Sequence, residues 1–222
     1  RIDEFSVVVY LRKGVKFHNG DELKAEDVKF TLERAVASPQ TMYLYNPISE
    51  VTVIDDYTVK VTTKAPFGAL LQNLAAVQGG IVNKKVVEAA GDDYVKNPVG
   101  TGQYKFKEWL PGNKIVFEAF NDSYHGAPKI KEITFKTVPE VSNRMIALET
   151  GEADAFVVVD WAESNSFESH IRMIETLQYR EQIAVREDKT EVYNAVKNYI
   201  TSLPPSNFTD IIKRNRINYY KY

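Results

Sequence analysis

The chain contains no cysteine among its 222 residues. Disulfides, thiolate metal sites and cysteine nucleophiles are thereby excluded. No apolar run approaches the ~20 residues that a membrane span needs. Neither sign of charge dominates: 28 Lys and Arg stand against 30 Asp and Glu, a net charge of -2, spread along the chain. A nucleic-acid footprint would need clustered cations. No signal peptide or transit-like segment opens the chain at Arg1. Low-complexity linkers and internal repeats are also missing. What is present is an ordinary globular balance, 44% hydrophobic and 26% charged, with 13 Tyr and 11 Phe. Tyrosine suits sites that need flat contact area with a polar tip.

The hydrophobic pattern changes period several times. Phe5, Val7, Val9 and Leu11 alternate as a strand. His18-Asn19-Gly20-Asp21 is a turn. Ala25, Val28, Leu32 and Ala35 fall at spacings of three and four and predict a helix, with Lys24 where a Ser or Thr cap would be expected. Ser38-Pro39 ends it. A hairpin turns at Asp55-Asp56. Pro66 is placed in the first turn of a helix carrying Leu70, Leu71 and Leu74. A further helix around Val86 to Ala90 is closed by Gly91. A second hairpin pairs Gln103 to Trp109 with Lys114 to Phe120, and a strand follows from Ile130 to Thr137.

Ser142 is expected to cap a helix that Gly151 stops, followed by a strand from Ala153 to Val159. Ile171, Ile174 and Leu177 suggest a helix. Val192 to Ile200 gives an apolar stripe on another, with Asp188 and Glu191 spaced as a capping box. Pro204-Pro205 breaks that helix, and the end is basic and tyrosine-rich. Strands and helices are mixed without regular alternation, which predicts α+β. One central, mostly antiparallel sheet is expected from the strands near Val7, Val59, Phe106, Val116 and Phe135.

Two stretches carry a resemblance. The first is Leu11-Arg12-Lys13-Gly14-Val15-Lys16-Phe17-His18-Asn19-Gly20-Asp21-Glu22, followed by Ala25-Glu26-Asp27-Val28 and Leu32-Glu33-Arg34-Ala35. The second is Pro98-Val99-Gly100-Thr101-Gly102-Gln103-Tyr104-Lys105-Phe106, followed by Gly151-Glu152-Ala153-Asp154. In content, order and separation they resemble the family 5 extracellular solute-binding proteins of bacterial ABC importers, the oligopeptide-, dipeptide- and nickel-binding group. The resemblance runs from about Phe5 to Phe156.

It implies the first-lobe portion of a class II periplasmic binding protein fold: a mostly antiparallel mixed sheet with flanking helices, over residues 1–156. Residues 157–222 are then expected to be a divergent helical tail. The second lobe is expected to be absent or severely reduced, which would leave peptide binding weak or lost. By the same resemblance the partners are a small peptide or similar solute and an ABC permease at the membrane surface, with no nucleic acid. The location is extracytoplasmic, in the periplasm or on a cell-surface lipoprotein.

The segment after the first helix lines the cleft in this family, so the resemblance nominates Met42, Tyr43 and Tyr45 as ligand contacts. Periodicity alone assigns them equally well to core packing. Gln78, Gly79 and Gly80 match the other solute-facing loop, where glycine lets backbone amides come close. Nickel-chelate binders present an arginine near that loop, and here none stands between Arg34 and Arg144. His18, with Asp21 and Glu22 nearby, is read as a solvent-facing turn rather than a metal or acid–base site. Gly100-Thr101-Gly102 lacks the features of a phosphate cradle. Lys213 to Tyr222 is read as a solvated basic end.

No nucleophile–base pair, metal motif or cofactor motif is found, so no catalytic residue, no metal and no cofactor is expected. The alternative to a transport role is a non-transporting interaction module that retains the first-lobe scaffold.

Overall fold

The computed structural model describes residues 3–158, 171–175 and 182–202. It divides into two compact units, Arg1–Phe135 and Lys136–Tyr222.

The first unit begins with a three-stranded sheet of order β1-β3-β2, made by β1 (Ser6–Tyr10), β2 (Ile48–Asp55) and β3 (Thr58–Thr63). Both ladders are antiparallel, with Val7 and Val51 each opposite Val61. Alternation therefore stacks three valines across one face. All three are buried, as is Val59. Helix α1 (Ala25–Ala37) packs on this sheet through Val28, Leu32 and Ala35. Burying a leucine such as Leu32 contributes about 1.5–3 kcal/mol.

The start of α1 is secured without a capping Ser or Thr. The Lys24 backbone N–H donates to Asp27 Oδ2 at 2.9 Å. The other oxygen of that buried carboxylate accepts the Lys84 N–H at 2.9 Å. Asp27 thus joins the first turn of α1 to that of α4 (Lys84–Ala90). Asn83 caps α4 by accepting from Val86 N–H at 3.0 Å, and its amide donates to Asp21 at 3.0 Å.

A second sheet has the order β4-β5-β6, from β4 (Tyr104–Leu110), β5 (Lys114–Ala119) and β6 (Glu132–Lys136). Phe106 faces Phe117 across the β4–β5 ladder, and Phe117 meets Phe135 edge to face. The five strands expected in one sheet thus fall into two. The valine face of β1-β3-β2 is satisfied by α1, and the phenylalanines of β4-β5-β6 pack on one another. A period of two shows which face a strand buries, not which strand it pairs with.

In the second unit, β7 (Ala155–Val158), β8 (Ile171–Glu175) and β9 (Gln182–Arg186) form an antiparallel sheet of order β7-β9-β8. Helix α5 (Val141–Thr150) and helix α6 (Thr190–Ser202) accompany it. Three expectations are corrected here. Ile171 and Ile174 lie on strand β8, not on a helix, because pairing along β9 (Ile174 opposite Ile183) overrides a spacing that a short strand shares. Ser142 stands inside the first turn of α5, and Glu140 occupies the cap position. Asp188 does not cap α6: its carboxylate is held by the Arg186 guanidinium through two contacts of 2.9 Å. In the first unit, Pro66 lies ahead of α3 (Leu70–Leu74) rather than in its first turn. The readings for Leu177, Pro204-Pro205 and Lys213 to Tyr222 fall outside the described residues.

Candidate functional site

Met42, Tyr43 and Tyr45 form a single helical turn, α2 (Met42–Tyr45). Its entry is fastened to the end of α1: the Thr41 hydroxyl donates to Ala35 O at 2.8 Å and Met42 N–H to Ser38 O at 2.8 Å. Two further bonds clamp α2 to α3. The Tyr45 hydroxyl donates to Asn73 O at 2.9 Å, and the Asn73 amide donates to Leu44 O at 2.7 Å.

Tyr45 is fully buried. Burial, with Tyr43 beside it, pushes its hydroxyl pKa up. It is a core residue that supports the face and does not present its own surface. Tyr43 and Met42, by contrast, are exposed. The Gln78 amide stands 3.5 Å from the Tyr43 hydroxyl, so two segments 35 residues apart meet at the surface.

Gly79 lies behind that pair, in the short 3-10 turn Val77–Gly79. It is buried, and a Cβ there would stand 2.6 Å from the Tyr45 hydroxyl and 2.8 Å from Leu74 O. Gly79 is therefore a packing glycine, needed for close approach to Tyr45. Gly80 is exposed. Of the six residues nominated from the sequence, Met42, Tyr43, Gln78 and Gly80 present surface, and Tyr45 with Gly79 forms the seat beneath.

Gly80 also borders a cleft that the sequence reading missed. It has a volume of about 290 Å³ and is walled by His18, Tyr94, Tyr104, Phe106 and Phe117. Tyr104 and Phe106 alternate onto it from β4, and that alternation was the available signal. Its polar groups are mostly turned to the protein. The Tyr94 hydroxyl donates to Val99 O at 2.9 Å and the Tyr104 hydroxyl to Ile130 O at 3.1 Å. Burial pushes both phenols up. The cleft therefore offers aromatic and aliphatic wall with little free hydrogen-bonding capacity.

His18 is a wall of this cleft and half-buried, not solvent-facing. The turn folds back because Phe17 N–H donates to Asp21 O and His18 N–H to Gly100 O, each at 2.8 Å. Among the described residues, no three His, Asp or Glu side chains converge as metal ligands would. No described helix is long and apolar enough to cross a membrane.

A further cluster fastens the His18 turn to the β2–β3 hairpin. Glu22 Oε1 accepts from Gly14 N–H and from the Tyr57 hydroxyl, both at 2.8 Å. The Lys24 ammonium lies 3.1 Å from Glu22 Oε2, over the Tyr57 ring, and bonds the Tyr57 hydroxyl. The Tyr57 hydroxyl, then Gly14 N–H and Lys24, hold the Glu22 pKa down at about 2. Lys24 is pushed up, chiefly by the Tyr57 hydroxyl and then by Glu22.

Known proteins resemble this chain in sequence and fold. The family described as bacterial extracellular solute-binding proteins, family 5 Middle, matches residues 2–194. The glutathione-binding protein GsiB of Pectobacterium atrosepticum is 31% identical over 175 residues, covering 77% of this chain and 34% of that protein. The binding protein MoaA of A. tumefaciens R10, solved with mannopinic acid, superposes with a TM-score of 0.73 at 26% identity, over 79% of this chain and 37% of that one. DppA of Helicobacter pylori, solved with the peptide STSA, gives 0.70 at 26% identity over 80% and 40%. The chain thus spans about a third of the length of the relatives it matches. With a family match across most of its residues and the same fold, this chain belongs to the family 5 bacterial extracellular solute-binding proteins.

Proposed function

We propose that the chain is part of the extracytoplasmic solute-capturing subunit of a bacterial ABC importer and takes small peptides, dipeptides or oligopeptides. The observation that carries this reading is the meeting of Tyr43 and Gln78 on one exposed face, over the Tyr45–Gly79 seat. A phenol and a carboxamide side by side offer donors and acceptors that match a peptide backbone, and the aromatic ring offers stacking area. Two of the relatives are a glutathione-binding protein and a protein solved with the peptide STSA. Both ligands are short peptides.

On this reading the solute is held by desolvation and hydrogen bonds, without covalent chemistry, and the loaded subunit docks on a permease at the membrane surface. Small-molecule pockets in general enclose about 70–90% of their ligand's surface. The single face formed by Met42, Tyr43, Gln78 and Gly80 covers less. Each tenfold of affinity is about 1.4 kcal/mol, so the chain by itself binds weakly.

Calorimetric titration of the chain with a di- and tripeptide mixture tests the reading. Weak binding that falls further in Tyr43→Ala and Gln78→Ala supports it. Micromolar binding that neither substitution changes places the site elsewhere.

A further inference from the structure

His18 makes three bonds to one short stretch of chain. Its backbone N–H donates to Gly100 O at 2.8 Å. Its ring Nδ1 accepts the Gly100 N–H at 3.2 Å, and its ring Nε2 lies 3.0 Å from Gly102 O. A backbone N–H can only donate and a carbonyl can only accept. Nδ1 must therefore be bare and Nε2 must carry the hydrogen. Only the neutral ring with its proton on Nε2 meets both demands. The same ring stands edge-on to Phe120, with centroids 5.2 Å apart, and closes one side of the cleft. Protonation would place an Nδ1–H against the Gly100 N–H, two donors face to face.

We propose that His18 is an acid-sensitive latch: its neutral ring pins the Phe17–Gly20 turn to the Gly100–Gly102 entrance of β4, and its protonation releases that stretch and loosens the cleft wall. The surroundings of the ring favour this. Lys105 on β4 is the cation whose field reaches it, and this opposes a second positive charge. Of the carboxylates on the adjoining segments, Asp21 is engaged by Asn19 and Asn83, and Asp122 by Lys16. Tyr94 and Tyr104 on the cleft wall have raised pKa values and stay neutral in this range. Burial pushes His18 below the ordinary histidine value, ahead of the opposing bond to Gly102 and the field of Lys105.

The sign follows from linkage. The unfolded chain binds the proton more readily than the folded one, so the latch is complete above the unfolded histidine pKa. It is lost as pH falls from there through the folded value.

The test is an NMR titration of the isotope-labelled chain from pH 8 to pH 4.5. Ring nitrogen shifts are expected to report the Nε2–H form at neutral pH. The His18 midpoint is expected below the ordinary value of about 6.5. The Gly100 amide should move with the same midpoint. Hydrogen-exchange protection of the His18 amide should fall through the titration by about tenfold for each unit by which the His18 pKa is depressed. In His18→Gln the Gly100 inflection should vanish. An Nδ1–H ring, a midpoint at or above the ordinary value, a Gly100 amide that does not follow His18, or unchanged protection would each overturn the proposal. These readouts come from the unsubstituted chain, so the outcome stands even if His18→Gln fails to fold.

Discussion

The Tyr45 hydroxyl fills the space where a side chain at Gly79 would begin, 2.6 Å from the position of a Cβ there. The two residues are 34 positions apart, and their contact sets α2 against the Val77–Gly79 turn. Leu74 O closes the other side at 2.8 Å. Because one of these neighbours is backbone, the site cannot relax by swinging a side chain aside. Gly79→Ala is expected to destabilise the chain by about 1–3 kcal/mol, as overpacking does. Urea unfolding measures this, and a cost below a few tenths would show that the turn yields. Tyr45→Phe should cost about 0.5–1.5 kcal/mol, the net worth of one hydrogen bond, because Asn73 O keeps the Ala76 N–H at 3.1 Å.

Asp27 accepts from two backbone N–H groups, that of Lys24 just ahead of α1 and that of Lys84 at the start of α4. Asp27→Ala leaves both donors unpaired in a partly buried place, with an expected loss of about 2 kcal/mol or more. Asp27→Asn retains one acceptor oxygen and should recover part of that loss. Equal stability of the two variants in urea would contradict this account of how α1 and α4 are joined.

Glu22 provides a pH signature that does not depend on the solute. Its folded pKa is depressed to about 2, so its bonds to Tyr57, Gly14 and Lys24 are worth most above the unfolded carboxyl value of 4.5. That contribution disappears as pH falls from there towards 2. In Tyr57→Phe the largest cause is removed, and the Glu22 midpoint should rise towards the ordinary value. Carbon-detected NMR of the Glu22 carboxyl in both proteins is the measurement; the same midpoint in both would mean that Tyr57 does not hold Glu22.

Gly151 ends α5 with φ of 81°, and the Arg186 guanidinium occupies the place of its missing Cβ. Asparagine tolerates a left-handed backbone, so Gly151→Asn isolates the steric conflict. It should displace the flexible Arg186 side chain from Asp188 and cost about 0.5–1 kcal/mol, the worth of an exposed ion pair. At Gly112 the backbone is also left-handed, at φ 74°, with nothing within 4 Å. Gly112→Asn should change stability by less than about 0.5 kcal/mol. Thermal unfolding of the pair separates backbone strain from packing, and equal losses would remove Arg186 from the explanation.

Local elements were legible wherever one period ran unbroken. The stripe Ala25, Val28, Leu32 and Ala35 predicted α1, and alternation through Val7, Val51, Val53, Val59 and Val61 predicted the first hairpin and its neighbour. Asp55-Asp56 and Gly91 marked ends because their chemistry acts within a few residues. Legibility failed at short segments. Ile171 and Ile174 suit a helix by spacing, and only β9 alongside them decides for a strand. Asp188 has the right spacing for a cap, but Arg186 two residues earlier captures it.

The nominated site was divided in the same way. Residue type and family resemblance selected Met42, Tyr43, Tyr45, Gln78, Gly79 and Gly80 without distinguishing seat from surface. Burial made that distinction, because Tyr45 points into the core while Tyr43, two residues earlier on a single helical turn, points out. His18 shows the same limit. As a turn residue beside Asn-Gly it belongs to solvent, yet Gly100 and Gly102, more than 80 positions on, bring the chain over its ring.

By itself the sequence determined the family, the period of each long element and the chemistry that is unavailable for want of cysteine. Those follow from residue type and near-neighbour spacing. The tertiary structure alone decided which strands share a sheet, which tyrosine is buried and which backbone groups meet the His18 ring. Each of those depends on groups far apart in the chain that meet at hydrogen-bond distance, and a one-dimensional pattern does not encode that meeting.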